Sequence, residues 1–224
     1  MRWPAGVLWD MDGTLVDTEP YWIAAEHELV AQHGGVWTDD FAYQLVGNDL
    51  AVSAQMIIDH SGIDLSVPEI IDGLLARVIE QVRERAPWRP GARELLLELV
   101  ELGVPNVLVT MSWRNLADAV VQNLPPGSFV HLVTGDEVRH GKPHPEPYLV
   151  GARVLDADPA ACVALEDSPT GVRSATAAGV PTIAIPHIVA VPPIEGSVQV
   201  LTLEGIRAGD LRAVAAGSLQ APTS

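Results

Sequence analysis

Cysteine is almost absent from this 224-residue chain: the one present, Cys162, stands in an apolar run, Ala161-Cys162-Val163-Ala164-Leu165. A lone thiol forms no internal disulfide, and without Cys-x-x-Cys or Cys/His ligand spacing a structural zinc centre is not expected. Cys162 reads as a small buried hydrophobe. Positive charge is scarce too. Thirteen Lys and Arg face 29 Asp and Glu, a formal net charge of −16, so the clustered cations that nucleic-acid backbones and anionic lipid surfaces require are missing. No uninterrupted apolar run is long enough to span a bilayer. The first residues, Met1 to Gly6 and a short apolar stretch ended by Asp10, are too brief and polar for a signal peptide. The expectation is a cytoplasmic protein with no nucleic-acid or membrane partner, a monomer or weak homo-oligomer.

What is present fits a globular chain: 48% of residues are hydrophobic and 19% charged, a balance unlike that of disordered proteins. Residues 5–9 form an apolar run ended by Asp10-Met11-Asp12-Gly13-Thr14, the pattern of a buried strand stopped by a turn. Helical periodicity follows over 21–33, with Trp22, Ala25, Leu29 and Val30 on one face, and again over 39–46, 49–60 and 67–85. After Ala86-Pro87-Trp88-Arg89-Pro90-Gly91 the character changes. Helices at 92–102, 115–124, 145–155 and 168–178 alternate with strands at 104–109, 130–133, 162–165 and 182–185. This alternation predicts an α/β fold, a doubly wound parallel sheet built from 1–17 and 86–224, with an all-helical insert at 18–85.

In such a sheet, ligands sit beyond the carboxyl ends of the strands. Three predicted strands end in polar groups: Asp10 and Asp12, Thr110 and Ser112, Glu166 and Asp167. Carboxylates so close together resist joint ionisation unless a cation offsets them, and an all-oxygen set favours a hard ion, with Mg2+ the physiological candidate. Lys142, in Gly141-Lys142-Pro143-His144-Pro145, supplies the fixed positive charge that an anionic substrate needs in an acidic site. Thr110 adds a hydroxyl and adjacent backbone N–H groups. Together these describe a metal-assisted phosphate site. The seven histidines show no metal spacing, and His140 and His144, flanking Lys142, read as solvated loop residues.

The set resembles four ordered motifs of the haloacid dehalogenase superfamily: Asp10-Met11-Asp12-Gly13-Thr14-Leu15-Val16-Asp17, then Val109-Thr110-Met111-Ser112, then Gly141-Lys142-Pro143, then Leu165-Glu166-Asp167-Ser168-Pro169-Thr170-Gly171. The similarity runs over about residues 5–187, and the helical stretch lies where this family inserts its cap. It implies a Rossmann-like core and, in the phosphatase and β-phosphoglucomutase branch, a Mg2+-dependent enzyme acting on a small phosphorylated metabolite. By the resemblance, Asp10 is the nucleophile that forms an aspartyl-phosphate, and Asp12 the general acid and base. Thr110 and Lys142 hold the transferring phosphoryl group. Mg2+ is bound by Asp10, the Asp12 backbone carbonyl and Asp167, with Glu166 assisting.

Gly13, Met111, Ser112, Trp113 and Arg114 are expected to line the substrate from the core, and Trp22, Gly47 and Asn48 from the cap. β-Phosphoglucomutase carries a His at the place of Trp22, and its cap-loop Lys and Arg align with Val46 and Leu50 here. Those cations hold the second phosphate of a bisphosphate intermediate, so their replacement favours a hydrolase over a mutase. A binding protein that has lost turnover would lack a nucleophile or metal ligand, and none is missing.

Overall fold

The computed structural model describes residues 3–45 and 50–217. Backbone contacts divide the chain into two compact units, Met1–Asp17 with Pro87–Ser224, and Thr18–Ala86.

In the first unit the chain runs through β1 (Val7–Trp9), β2 (Asn106–Val109), β3 (His131–Val133), β4 (Val163–Glu166), β5 (Thr182–Ala184) and β6 (Ser197–Gln199). All pairings among these are parallel, and the six strands lie in the order β3-β2-β1-β4-β5-β6. β1, β2 and β4 are buried throughout, as expected of parallel strands covered on both faces. Trp9 is wholly buried and its indole N–H donates to the buried Asn106 amide oxygen at 2.9 Å. A second tie across the same pair is the Val7 N–H, which donates to the Pro105 carbonyl at 2.9 Å. Leu8, Val107, Val109, Tyr148 and Ala164 pack in one core cluster of the unit.

The register positions the chemistry. Trp9 pairs with Leu108 on one side and with Leu165 on the other. The next residues, Asp10, Val109 and Glu166, therefore emerge at one level, on strands whose connections leave β1 in opposite directions. That is the switch point at which open α/β sheets bind ligands.

The second unit holds α1 (Glu19–Gln32), α2 (Asp39–Leu45), α3 (Leu50–Ser61) and α4 (Val67–Glu84). α4 pairs with both α1 and α3, burying Ile70, Leu74, Val78 and Val82 along one face at the spacing of an amphipathic helix. The Ser66 N–H donates to Glu69 at 2.8 Å, closing its first turn. α1 departs from the expected face: Trp22 is half-buried while Glu26 is buried, its carboxylate accepting from the Trp37 indole at 3.1 Å.

The first unit is completed by α5 (Ala92–Glu101), α6 (Arg114–Val121), α7 (Glu146–Val154), α8 (Pro169–Ala177) and α9 (Ala208–Ala215). β6 and α9 had no counterpart in the sequence reading. β6 is three residues long on the sheet edge and half exposed, so it produces no apolar run. α9 buries only Ala208, Leu211 and Val214, too few turns for a clear period. Among the described residues, no helix is long and apolar enough to cross a membrane.

Candidate active site

Asp10 follows β1 directly and is almost fully buried, and its N–H continues the sheet by donating to the Leu165 carbonyl at 3.0 Å. The chain then turns sharply. Leu15 and Val16 both donate to the Met11 carbonyl, and the Gly13 N–H to the Val16 carbonyl at 2.7 Å. Gly13 has φ +89°, and a Cβ there would lie 2.1 Å from an Asp167 carboxylate oxygen. Only glycine meets both conditions. Gly13 thus serves to let Asp167 approach, and its own amide is spent inside the turn.

Lys142 is the centre of charge. Its side chain is 5% exposed, and the ammonium donates to Asp10 Oδ1 at 2.6 Å, to Glu166 Oε1 at 2.6 Å and to the Val109 carbonyl at 2.9 Å. Three donors meet three acceptors. Burial by itself would lower the Lys142 pKa, but Asp10 and Glu166 together hold it above its ordinary value. The Lys142 backbone N–H reaches the Met111 sulfur at 3.2 Å, so Met111 fixes the lysine loop.

Glu166, the last residue of β4, is wholly buried and fully occupied. Oε1 accepts from Lys142 and from the Tyr148 hydroxyl at 2.8 Å, and Oε2 from the Ser168 N–H at 3.3 Å and its hydroxyl at 3.2 Å. Ser168 also caps α8, accepting from the Gly171 N–H at 3.0 Å. A Cβ on Gly171 would fall 1.7 Å from Glu166 Oε1, so the carboxylate rests in a cradle only glycine leaves open. Tyr148 and Ser168 were not singled out from the sequence as site residues. The usable signal was chemical: a buried tyrosine hydroxyl and a buried carboxylate each need a partner.

Asp12 lies beside β2's end. Its Oδ2 accepts from the Ser112 hydroxyl at 2.7 Å and the Thr110 hydroxyl at 3.3 Å, while Thr110 Oγ1 accepts from the Ser112 N–H at 3.0 Å. Thr110 and Ser112 therefore orient Asp12. Trp113 caps α6 and is half-buried. The Arg114 guanidinium is engaged elsewhere, making two bonds of 2.8 and 2.9 Å from one nitrogen to Glu137; reading a substrate would require it to leave that carboxylate. Trp22 stands on α1 in the helical unit. Gly47, Asn48 and Val46 lie outside the described residues.

The arrangement has room for a cation. Carboxylate oxygens of Asp10, Glu166 and Asp167 lie within 4.8 Å of one another. Asp10 Oδ2 is buried with no hydrogen-bond partner among the described residues, a costly condition unless something positive faces it. The Asp10 and Asp167 pKa values are both pushed up, chiefly by burial and then by neighbouring carboxylates, with Lys142 opposing. An all-oxygen donor set with surplus negative charge fits a hard divalent ion.

These features define a class: the chain belongs to the haloacid dehalogenase-like hydrolases, whose family model matches residues 7–185. Among individual proteins, it is 32% identical over 185 residues to hexitol phosphatase B of Escherichia coli, covering 80% of this chain and 82% of that one. It is 29% identical over 182 residues to a phosphorylated carbohydrates phosphatase of Thermotoga maritima, with 79% and 82% covered. The fold superposes on CbbY of Rhodobacter sphaeroides, solved in complex with phosphate, with a TM-score of 0.81 and 26% identity over 92% of this chain and 98% of that chain.

Proposed function

We infer that this protein is a Mg2+-dependent phosphatase that hydrolyses a small phosphomonoester, a sugar phosphate or similar metabolite, through an aspartyl-phosphate on Asp10. The observation that carries the reading is the state of Asp10: one oxygen is gripped by Lys142 at 2.6 Å while the other is buried with no hydrogen-bond partner among the described residues. The sugar and polyol phosphatases among the relatives support the substrate class.

In this reading, Asp10, the Asp12 carbonyl and Asp167 would hold the ion, while Glu166 fixes Lys142 through their 2.6 Å contact. Bound Mg2+ would supply charge neutralisation between an anionic nucleophile and an anionic ester. An Asp10 carboxylate oxygen attacks phosphorus, and the bond to the ester oxygen breaks. Asp12, protonated and aimed by Ser112 and Thr110, gives its proton to that oxygen, so a neutral alcohol leaves. A water then attacks the aspartyl-phosphate, Asp12 takes its proton, and inorganic phosphate departs with Asp10 restored. Lys142 offsets charge on the phosphoryl oxygens throughout, the kind of fixed electrostatic support that carries most phosphoryl-transfer catalysis. Residues 18–85 occupy the place in the sequence where this family carries its cap, and we assign substrate selection to them, with Trp22 as a candidate contact. A cytoplasmic location suits such substrates and the single buried thiol.

The test is phosphorus NMR of the protein with Mg2+ and a panel of sugar and polyol phosphates. Growth of inorganic phosphate from one component supports the reading and names the substrate. A new ester resonance without free phosphate would mean a mutase and overturn it.

A further inference from the structure

A second group of metal-ligating side chains lies outside the catalytic acids, on the loop that carries Lys142. His140, His144 and Glu146 bring ligand atoms within 4.8 Å of one another. The two imidazole rings have centroids 4.7 Å apart, and His140 Nδ1 is 2.9 Å from Glu146 Oε2. Both histidines are solvent-exposed, as expected of loop residues. Their His-x3-His-x-Glu spacing fits ligation only if the loop folds back, which spacing alone does not decide. The structure folds it back.

The loop backbone holds these side chains in place. Glu146 accepts from the N–H groups of Arg139 at 2.8 Å and His140 at 3.1 Å. The His144 N–H donates to the Gly141 carbonyl at 3.0 Å, and the His144 carbonyl accepts from the Ser174 hydroxyl at 2.6 Å. The Glu146 N–H reaches His144 Nδ1 at 3.2 Å. Ligands fixed by their own backbone lose little freedom when an ion arrives. The group remains open to solvent, with the His140 side chain 52% exposed and that of Glu146 26%.

We propose that His140, His144 and Glu146 form a second cation site, taking a borderline-soft divalent ion such as Zn2+, that braces the loop bearing Lys142. Two imidazoles and one carboxylate are the donors of open zinc sites, and they select against Mg2+, which the all-oxygen catalytic cluster suits. The ion binds His140 at Nδ1, displacing the proton now shared with Glu146 to Nε2, so the ring stays neutral. The chain's net charge of −16 raises the cation concentration near its surface. Lys142 lies midway between the two histidines, so an ion joining them fixes both flanks of the residue that grips Asp10.

The experiment is calorimetric titration of Zn2+ into the full chain in saturating Mg2+, with the wild type and the His140→Ala/His144→Ala double variant. Visible absorption on Co2+ addition gives a second readout, because His-ligated Co2+ in an open site differs from Co2+ held by oxygens alone. One Zn2+ per chain is expected, with affinity at least about 100-fold weaker in the double variant and a Zn2+-dependent rise in Tm lost with it. Phosphate release in Mg2+ alone should be unchanged in this variant. Zn2+ uptake that persists in the double variant would put the ion on the Asp10–Asp167 cluster and overturn the proposal, as would no uptake at all.

Discussion

The Tyr148 hydroxyl donates a 2.8 Å hydrogen bond to the same Glu166 oxygen that accepts from the Lys142 ammonium. The Lys142 nitrogen also lies 5.2 Å from the Tyr148 ring centroid. Tyr148 thus touches both members of the pair that sets the charge beside Asp10, from a wholly buried position on α7. Its hydroxyl is held neutral, its pKa raised by burial and by the Glu166 and Asp10 charges, as a donor to a carboxylate must be.

Tyr148→Phe should therefore cost stability and rate together. A hydrogen bond to a charged group contributes about 1.5–3 kcal/mol, and the variant keeps the ring packing. Urea unfolding should show a loss in this range, and kcat/KM should fall by about 5- to 30-fold as Glu166, a partner of Lys142, loses a hydrogen bond that fixes it. Unchanged kinetics with the same stability loss would make Tyr148 a packing residue only.

Gly171→Ala tests the cradle around Glu166. Within a helix, Gly to Ala ordinarily stabilises by about 0.4–1 kcal/mol. Here the added Cβ would meet Glu166 at 1.7 Å, so the sign reverses. The expected outcome is a lower Tm and a loss of turnover of about tenfold or more, read by thermal melting and by phosphate release.

Asp10→Asn should abolish turnover, by about 10³-fold or more, with the far-ultraviolet circular dichroism intact. It also removes one of the like charges crowded at Asp167, so the metal-free variant should be no less stable than the wild type. Asp12→Asn should slow hydrolysis comparably while Asp10 stays able to react, since the leaving oxygen loses its proton donor. Persistent activity in the Asp10 variant would remove it as the nucleophile.

Chelation should stop the reaction and Mg2+ restore it, because Asp10 and Asp167 crowd one another without a counter-charge. Asp167→Asn should raise the Mg2+ concentration for half-maximal rate, measured by titrating Mg2+ at saturating substrate. A rate independent of both chelator and Asp167 would exclude the cation from the chemistry.

The helical unit carries its own pH dependence. Glu26 is buried, and its pKa is pushed from 4.5 up to about 7, mainly by burial, with the Trp37 hydrogen bond opposing. The folded chain therefore binds this proton more tightly than the unfolded one. Stability from this group is fully present below about pH 4.5 and is lost as pH rises through about 7, a change on the order of 3 kcal/mol. Glu26→Gln should flatten that part of the curve. The check is the difference in urea midpoints between wild type and variant at pH 5 and pH 7.5.

Much of the candidate site was legible in the chain itself. Apolar runs that stop at Asp10, Thr110 and Glu166 announce strands with chemistry at their ends, because a parallel strand covered on both faces must be apolar until it leaves the sheet. The helical periodicity of α4 and the strand–helix alternation after Gly91 were equally readable, being local. What the sequence could not state was register and approach. The pairing of Trp9 with both Leu108 and Leu165 brings Asp10 level with Glu166 across more than a hundred residues, and only the assembled sheet sets it. The same holds for the clearance at Gly13 and Gly171, the capture of Arg114 by Glu137, and the folding of His140 onto Glu146. Each depends on which atoms face one another within a few ångströms. Residue type limits such contacts, but packing decides them.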